Sequence, residues 1–249
     1  MISKISIITV SYNAQAVIKD AIASVLGQTY KDIEYIVIDG GSTDGTIDIV
    51  NQYKGRISKV LSEPDKGMYD AMNKGIKLAT GDIIGILNAD DVYANDKVLE
   101  TVVNRINETK SDSCYADLVY VDKGDTNKVV RYWKSGEYNK DSFKNGWMPA
   151  HPTFFVKRWV YEKYGVFDLT LPIASDYELL FRFLEKYKIS SCYIPNVLVK
   201  MRLGGTSNKS ILNVIKQNLV IMNILQQNHI KISSFFLCSK FLGKLKQFK

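Results

Sequence analysis

An α/β fold on a mainly parallel sheet is what this sequence predicts, and three observations lead there. Four short, largely apolar runs, at residues 5–10, 33–38, 57–61 and 83–87, read as strands buried on both faces. Between them, residues 14–28, 46–53 and 68–79 carry apolar side chains at helical spacing. Each run stops at polar, turn-forming residues, so strand and helix alternate as βα units, and such units pair their strands in parallel.

Taken in order, residues 5–10 are rich in β-formers and end at Ser11-Tyr12-Asn13, a natural strand-to-helix turn. Val17, Ala21, Ile22 and Val25 then share one helical face, with Gly27 close to the helix end. The second strand stops at Asp39, and Gly40-Gly41-Ser42-Thr43-Asp44-Gly45 forms a tight polar loop before a short helix. The third strand is the weakest. It leads into the 62–67 loop, punctuated by Pro64 and Gly67. The next helix packs through Ala71, Met72, Gly75 and Ile76, and Thr80-Gly81 closes it.

Past Asp91 the regularity loosens. Residues 97–110 read as a helix, 113–121 and 128–133 as paired strands, and 140–145 as a helical turn. An aromatic loop at 146–152 precedes the apolar residues 153–156. Residues 175–188 are an amphipathic helix with Tyr177, Leu180, Phe181 and Leu184 on one face, and 189–201 are extended. After the Gly204-Gly205 break, helices are expected at 207–228 and 233–249. In the first, Ile211, Val214, Ile215, Met222 and Leu225 lie roughly on one side.

With 249 residues the chain is long enough for one large domain with an appendage. Its composition, 46% hydrophobic and 24% charged, is that of a globular protein rather than a disordered one. Cys114, Cys192 and Cys238 lie far apart and are odd in number, which points to reduced thiols in a cytosolic setting. The strand at the very start leaves no room for a signal peptide, and no apolar run approaches a membrane span. The net charge of +7 is uneven: residues 186–249 hold 11 Lys and Arg and no acid, leaving 22 basic and 26 acidic side chains before them. A negatively charged partner for that C-terminal quarter follows, either nucleic acid or an anionic membrane face.

The candidate site begins with Asp90 and Asp91, which close the fourth strand two positions after Asn88. Open α/β sheets bind ligands at the C-terminal ends of their strands. Mg²⁺ is commonly held by one or two carboxylates plus substrate phosphates, so the pair suits a cation facing a diphosphate; it also suits a solvated loop. Asp39 can accept from ribose hydroxyls or serve its own turn, and Asp44 can cap the helix that follows. The loop after Asp39 is not Gly-x-Gly-x-x-Gly and the chain has no P-loop, so neither nucleotide motif is supported. Lys66 and Lys74 flank the third crossover as diphosphate counter-ions or as solvated surface. Ser175 and Glu178 make a capping-box pattern around Asp176, compatible with a catalytic carboxylate at a helix N-terminus. His229 reads as surface, whereas His151, among Trp147, Met148 and two prolines, suits either a substrate pocket or a packing position.

Together, Ile7-Ile8-Thr9-Val10-Ser11-Tyr12-Asn13, Asp39-Gly40-Gly41-Ser42-Thr43-Asp44-Gly45-Thr46 and Leu87-Asn88-Ala89-Asp90-Asp91 resemble family 2 glycosyltransferases. The resemblance continues through Ser62-Glu63-Pro64-Asp65-Lys66-Gly67 and Asp70-Ala71-Met72-Asn73-Lys74-Gly75, covering about the first 95 residues, and more thinly through 151–155 and 174–179. It implies a GT-A fold over 1–205, with a nucleotide-binding half at 1–95 and an acceptor half at 96–205. It also implies inverting transfer of a sugar from a nucleoside-diphosphate donor, UDP first among them, with Mg²⁺ or Mn²⁺. The acceptor would be a hydroxyl of a glycan or of a polyprenyl-linked lipid in cell-surface polysaccharide synthesis.

Carried over by position, Thr9, Ser11, Asp39 and Asp65 would line the nucleoside pocket, with Lys66, Asn73 and Asn88 beside the donor. Asp90 would bind the cation with Asp91 in support, Asp176 would be the catalytic base, and Trp147 and His151 would shape the acceptor side. Asn88 departs from the family, which has an Asp there. The basic tail at 206–249 then suits a peripheral position on the cytoplasmic membrane face, or packs on the domain. Nucleic acid is disfavoured, since no recognised module accompanies the charge. Two rival readings are a sugar-1-phosphate nucleotidyltransferase, which would want a Gly-rich, Arg-containing loop after the first strand, and a non-catalytic nucleotide-sugar-binding protein.

Overall fold

The computed structural model describes residues 4–139, 142–204 and 211–230. Among them, one sheet contains β1 (Ile5–Ser11), β2 (Ile33–Asp39), β3 (Lys59–Ser62), β4 (Ile83–Ile86), β5 (Val92–Tyr93), β6 (Ser113–Val121), β7 (Val129–Trp133), β8 (Phe155–Lys157) and β9 (Ser191–Arg202). The strand order is β3-β2-β1-β4-β8-β6-β9-β5, with β7 alongside β6. The helices are α1 (Ile18–Leu26), α2 (Thr46–Asn51), α3 (Met68–Leu78), α4 (Val98–Thr109), α5 (Arg158–Tyr164), α6 (Ser175–Phe181) and α7 (Ile211–Gln227).

β1 to β4 pair in parallel, as the βα spacing predicts. The remainder makes the sheet mixed. β8 runs antiparallel to both β4 and β6, β9 lies parallel to β6, and β5 closes antiparallel on β9. Here β6 and β7 form a hairpin and β8 follows a long connection with two 3₁₀ turns, so the simple βα repeat ends at β4.

Both faces of the sheet are covered, which explains the apolar runs. Ile8 and Val10 of β1 and Ile36 and Ile38 of β2 face α3 with Met72 and Ile76. Ile5, Ile7, Tyr35 and Val37 point the other way, toward Ile18, Ile22 and Val25 of α1. Successive strand residues alternate between the two cores, so almost none has to be polar.

Several elements differ from expectation. α1 begins only at Ile18, because Ala14 and Val17 form a turn in which the Ala14 amide donates to Thr46 Oγ1 at 2.8 Å. α5 and the two-residue β5 have no strong sequence signal. The 175–188 helix divides into α6 and a π-helical turn, Arg182–Lys186. Its capping box does not form. Ala174, in a left-handed conformation (φ 65°), holds the cap position, Ser175 Oγ is buried without a partner, and Glu178 pairs with Arg182 at 2.9 Å.

α7 packs on the domain through Ile221, Ile224 and Leu225, while Ile215, expected on the packing side, is half exposed. The helix expected at 233–249, part of the basic tail, lies outside the described residues. Among the described residues no helix is long and apolar enough to cross a membrane.

Candidate active site

Parallel strands deliver their last residues to one edge, and here the register is strict. Ser11, Asp39 and Ser62 are direct partners across β1, β2 and β3. Asp39 is fully buried and accepts from both neighbours, from Ser11 Oγ at 3.1 Å and Ser62 Oγ at 2.7 Å. It also accepts from Ser42 Oγ at 2.5 Å and the Ser42 amide at 3.0 Å. Burial pushes its carboxyl up, but these four donors outweigh it and hold the group below the usual value. Asp39 therefore anchors the polar loop, with both oxygens engaged by the protein.

The loops after β1 and β2 are laced to each other. Asn13 Oδ1 accepts from the Thr43 amide at 2.9 Å, and the Asn13 backbone N–H donates to Ser42 Oγ at 2.8 Å. Asp44 accepts from the Gln15 amide at 3.1 Å and from the Thr46 amide at 2.9 Å. A Cβ on Gly40 would overlap Asp65 Oδ2 and approach the Tyr12 ring at 3.4 Å. Glycine there lets Asp65 and Tyr12 flank one spot on the edge. Tyr12 is 65% exposed, an open aromatic face beside a carboxylate. Asp65 accepts from the Gly67 amide at 2.8 Å, and Lys66 is exposed on the same loop.

The acidic pair lies just past β4, where the Ala89 amide still donates to Val10 O. Asp91 is fully buried and accepts from Asn88 Nδ2 at 3.1 Å, whereas Asp90 is half-buried. Asn88 Oδ1 and Asp91 Oδ1 have no hydrogen-bond partner. Burial and then the Asp90 charge push the Asp91 carboxyl well up; burial also raises Asp90, with Arg202 opposing it. Arg202, buried at the end of β9, donates to Asp90 O at 3.0 Å and pairs with Asp20 of α1.

Orphaned buried oxygens beside two carboxylates are the donor set of a hard divalent cation, so the residues fit one. Asp90, Asp91 and Asn88 would hold it. Among the described residues no three His, Cys, Asp or Glu side chains converge on one point, so a substrate's own oxygens would have to complete the shell.

A second group gathers Asp176 and His151. Tyr69, in the first turn of α3, donates its hydroxyl to Asp176 Oδ1 at 3.1 Å. Its ring stacks on Phe167 at 5.4 Å, and His151 meets Phe167 edge-on at 5.8 Å. Burial lowers the His151 pKa while the nearby Asp176 charge raises it, and the net is downward, toward the neutral imidazole. Burial and the Asp176 charge push the Tyr69 phenol far up, which keeps it a donor.

Three predicted residues are engaged elsewhere. Thr9 faces the α1 side of the sheet, where its hydroxyl accepts from Tyr35 at 3.0 Å. Asn73 clamps both backbone groups of Phe167 at 2.9 Å. Trp147 packs edge-on against Tyr115 and Phe143 and donates its indole N–H to Ser135 O at 2.6 Å. Conversely, sequence reasoning passed over Tyr12, Tyr69, Phe167 and Arg202. Tyr12 and Tyr69 sit within or beside the quoted motifs, so their position was a usable signal. Arg202 lies 112 residues from Asp90 and had none.

The sequence pattern described as Glycosyl transferase family 2 matches residues 6–167. A "PGL/p-HBAD biosynthesis glycosyltransferase" of Mycobacterium bovis (strain BCG / Pasteur 1173P2) is 30% identical over 207 residues, 82% of this chain and 78% of the relative. The Escherichia coli "UDP-Glc:alpha-D-GlcNAc-diphosphoundecaprenol beta-1,3-glucosyltransferase WfaP" is 27% identical across 93% of this chain and 91% of the relative. In solved structures, S. aureus TarS 1-349 superposes with a TM-score of 0.68 at 17% identity, covering 98% of this chain and 72% of that one. The mannosyltransferase PcManGT from Pyrobaculum calidifontis, in complex with GDP-Man and Mn²⁺, gives 0.66 at 16% identity, covering 96% and 68%. These folds are GT-A, and this sheet with its flanking helices has the same architecture. With the family pattern spanning the site-bearing strands, the chain belongs to glycosyl transferase family 2.

Proposed function

We propose that this chain is an inverting glycosyltransferase that uses a nucleoside-diphosphate sugar, UDP-linked by preference, and a divalent cation. Its acceptor is a hydroxyl of a glycan carried on a polyprenyl diphosphate. The observation that supports the reading is the presence of two carboxylate sites of different character: Asp90-Asp91 with orphaned oxygens beside them, and Asp176 held by Tyr69. Support for the donor and acceptor comes from WfaP, whose name gives UDP-Glc and a diphosphoundecaprenol acceptor, and from TarS, solved in complex with UDP-GlcNAc.

In this mechanism Tyr12 offers a stacking face for the base and Asp65 an acceptor for ribose or base, from the two loops that flank Gly40 of the loop Asp39 anchors. Asp176 takes the proton of the acceptor hydroxyl as its oxygen forms a bond to the anomeric carbon. The bond from that carbon to the diphosphate oxygen breaks on the opposite face, and the electron pair leaves with the nucleoside diphosphate. Asp90, Asp91 and Asn88 would hold a divalent cation, which would supply positive charge against that leaving group. Lys66, exposed on the 62–67 loop, can add to it. Tyr69 fixes one carboxylate oxygen of Asp176, and neutral His151 shapes the acceptor side without competing for the proton.

A panel of nucleotide sugars tested by thermal shift with and without Mn²⁺ identifies the donor, since a ligand bound at about 100 times its Kd stabilises the fold by about 2.7 kcal/mol. Nucleoside-diphosphate release is then measured for the parent, Asp90→Ala and Asp176→Ala. Unchanged release in both variants sinks the assignment.

A further inference from the structure

We propose that a strip of aromatic rings and lysines, built by Trp159, Tyr164 and Tyr187 with Lys163 and Lys186, docks this domain on an anionic lipid surface. Trp159 and Tyr164 lie 6.0 Å apart at the two ends of α5, and Tyr164 stacks on Tyr187 at 4.0 Å with ring planes 11° apart. Lys163 Nζ sits 5.8 Å from the Trp159 ring and 5.2 Å from the Tyr164 ring; Lys186 Nζ is 5.8 Å from Tyr187. Trp159 is 37% and Tyr187 40% exposed, and with Tyr164 between them they form a contiguous strip rather than isolated surface rings. The loop that follows α5 adds exposed Val166 and Leu169.

Charge decides what covers this strip. Glu162 and Glu185, next to the two lysines in sequence, are paired with Arg158 and Lys188, and Asp168, between Val166 and Leu169, accepts from the Thr170 amide and hydroxyl. Among the described residues neither Lys163 nor Lys186 has a carboxylate partner, so two ammonium groups stand over exposed rings. Lysine is depleted in the cores of protein–protein interfaces. Indole and phenol rings with lysines beside them match the headgroup layer, where rings sit at the apolar boundary and each cation near an anionic leaflet adds attraction. The strip is also held in place: Arg182 donates to Tyr164 O and, at 2.7 Å, to Val166 O, which fixes the chain leaving α5.

Its placement ties it to the site. From Val166 the chain runs directly to Phe167, which stacks on Tyr69 beside Asp176 and meets His151. The strip is thus joined through one residue to the side chains around Asp176. The inference goes beyond the proposed reaction and requires neither donor nor acceptor.

The full chain, with its C-terminal residues present, is floated with phosphatidylglycerol/phosphatidylcholine vesicles and with phosphatidylcholine vesicles alone. Binding to the anionic vesicles should fall about tenfold or more in Lys163→Glu/Lys186→Glu, and likewise in Trp159→Ala/Tyr187→Ser. Circular dichroism melts matching the parent confirm folding; both lysines are exposed, so that variant remains decisive if the aromatic one melts early. Val129→Ser/Val130→Ser, an exposed apolar pair on β7, should bind as the parent does. Equal flotation of parent and lysine variant, with the C-terminal residues alone carrying the binding, overturns the proposal. So does equal loss in the β7 variant, absence of anionic-vesicle binding by the parent, or a dimer in sedimentation that depends on this strip without vesicle binding.

Discussion

Asp176→Asn keeps the size of the side chain and a partner for Tyr69 while removing the base. Transfer should fall by about 100- to 10,000-fold, with the donor-induced thermal shift unchanged. Tyr69→Phe removes only the hydrogen bond that fixes one oxygen. A charged hydrogen bond contributes about 1.5–3 kcal/mol, so turnover should drop about tenfold or more with little change in the KM for donor; a change in KM alone would argue against a positioning role. At the far end of β2, Glu34 illustrates a different use of a buried acid. Burial raises its pKa, but Ser6, the Thr80 amide, Lys59 and the Thr80 hydroxyl lower it to about 2 from an ordinary 4.5. Because the folded value is depressed, the stabilisation is fully present above about pH 4.5 and is lost as pH falls toward 2. At about 1.4 kcal/mol per pH unit this is of order 3 kcal/mol. Glu34→Gln should thus be less stable at neutral pH and show a flatter acid limb in urea unfolding measured across that window. These roles divide by legibility. Asp90, Asp39 and Asp176 were visible as acids at strand or helix ends, but which of their oxygens stay open depends on neighbours no spacing rule names.

α3 is the element on which the two halves of the site meet. It starts directly after the Asp65–Gly67 loop, carries Tyr69 in its first turn toward Asp176, and clamps Phe167 through Asn73. Its close seat on the sheet needs Gly75, where a Cβ would collide with Ile8 Cγ2 and come within 3.3 Å of Ile38 Cγ1. Gly75→Ala gains about 1 kcal/mol of helix propensity, but over-packing a core contact costs about 1–3 kcal/mol. The variant should therefore be no more stable than the parent in urea unfolding, and lower in activity because Tyr69 moves with the helix. A clear gain in stability would contradict the close packing. The sequence announced α3 through its periodic Ala71, Met72, Gly75 and Ile76, since helical spacing is a local property. It announced α5 and the π-helical turn poorly, because the contact that ties them, the Arg182 side chain donating to the Tyr164 and Val166 carbonyls, spans 16 to 18 residues.

For the whole molecule, donor and metal should act together. If the cation is held partly by Asp90 and partly by the donor's diphosphate, chelation should abolish most of the donor-induced thermal shift. It should leave the melting of the free protein unchanged, since Asp39, Asp65 and the loops they anchor need no ion. A free protein that melts lower in chelator would instead mark a structural metal. The first four βα units, and with them the edge where Asp39, Asp65 and Asp90 gather, follow from the amino-acid order alone, because period and punctuation act over a few residues. The mixed half of the sheet, the turn of Thr9, Asn73 and Trp147 toward the protein's own interior, and the arrival of Arg202 at Asp90 from 112 residues away were decided only by tertiary structure. Burial and hydrogen-bond partners are settled by which segments meet in space, and a linear pattern does not contain that information.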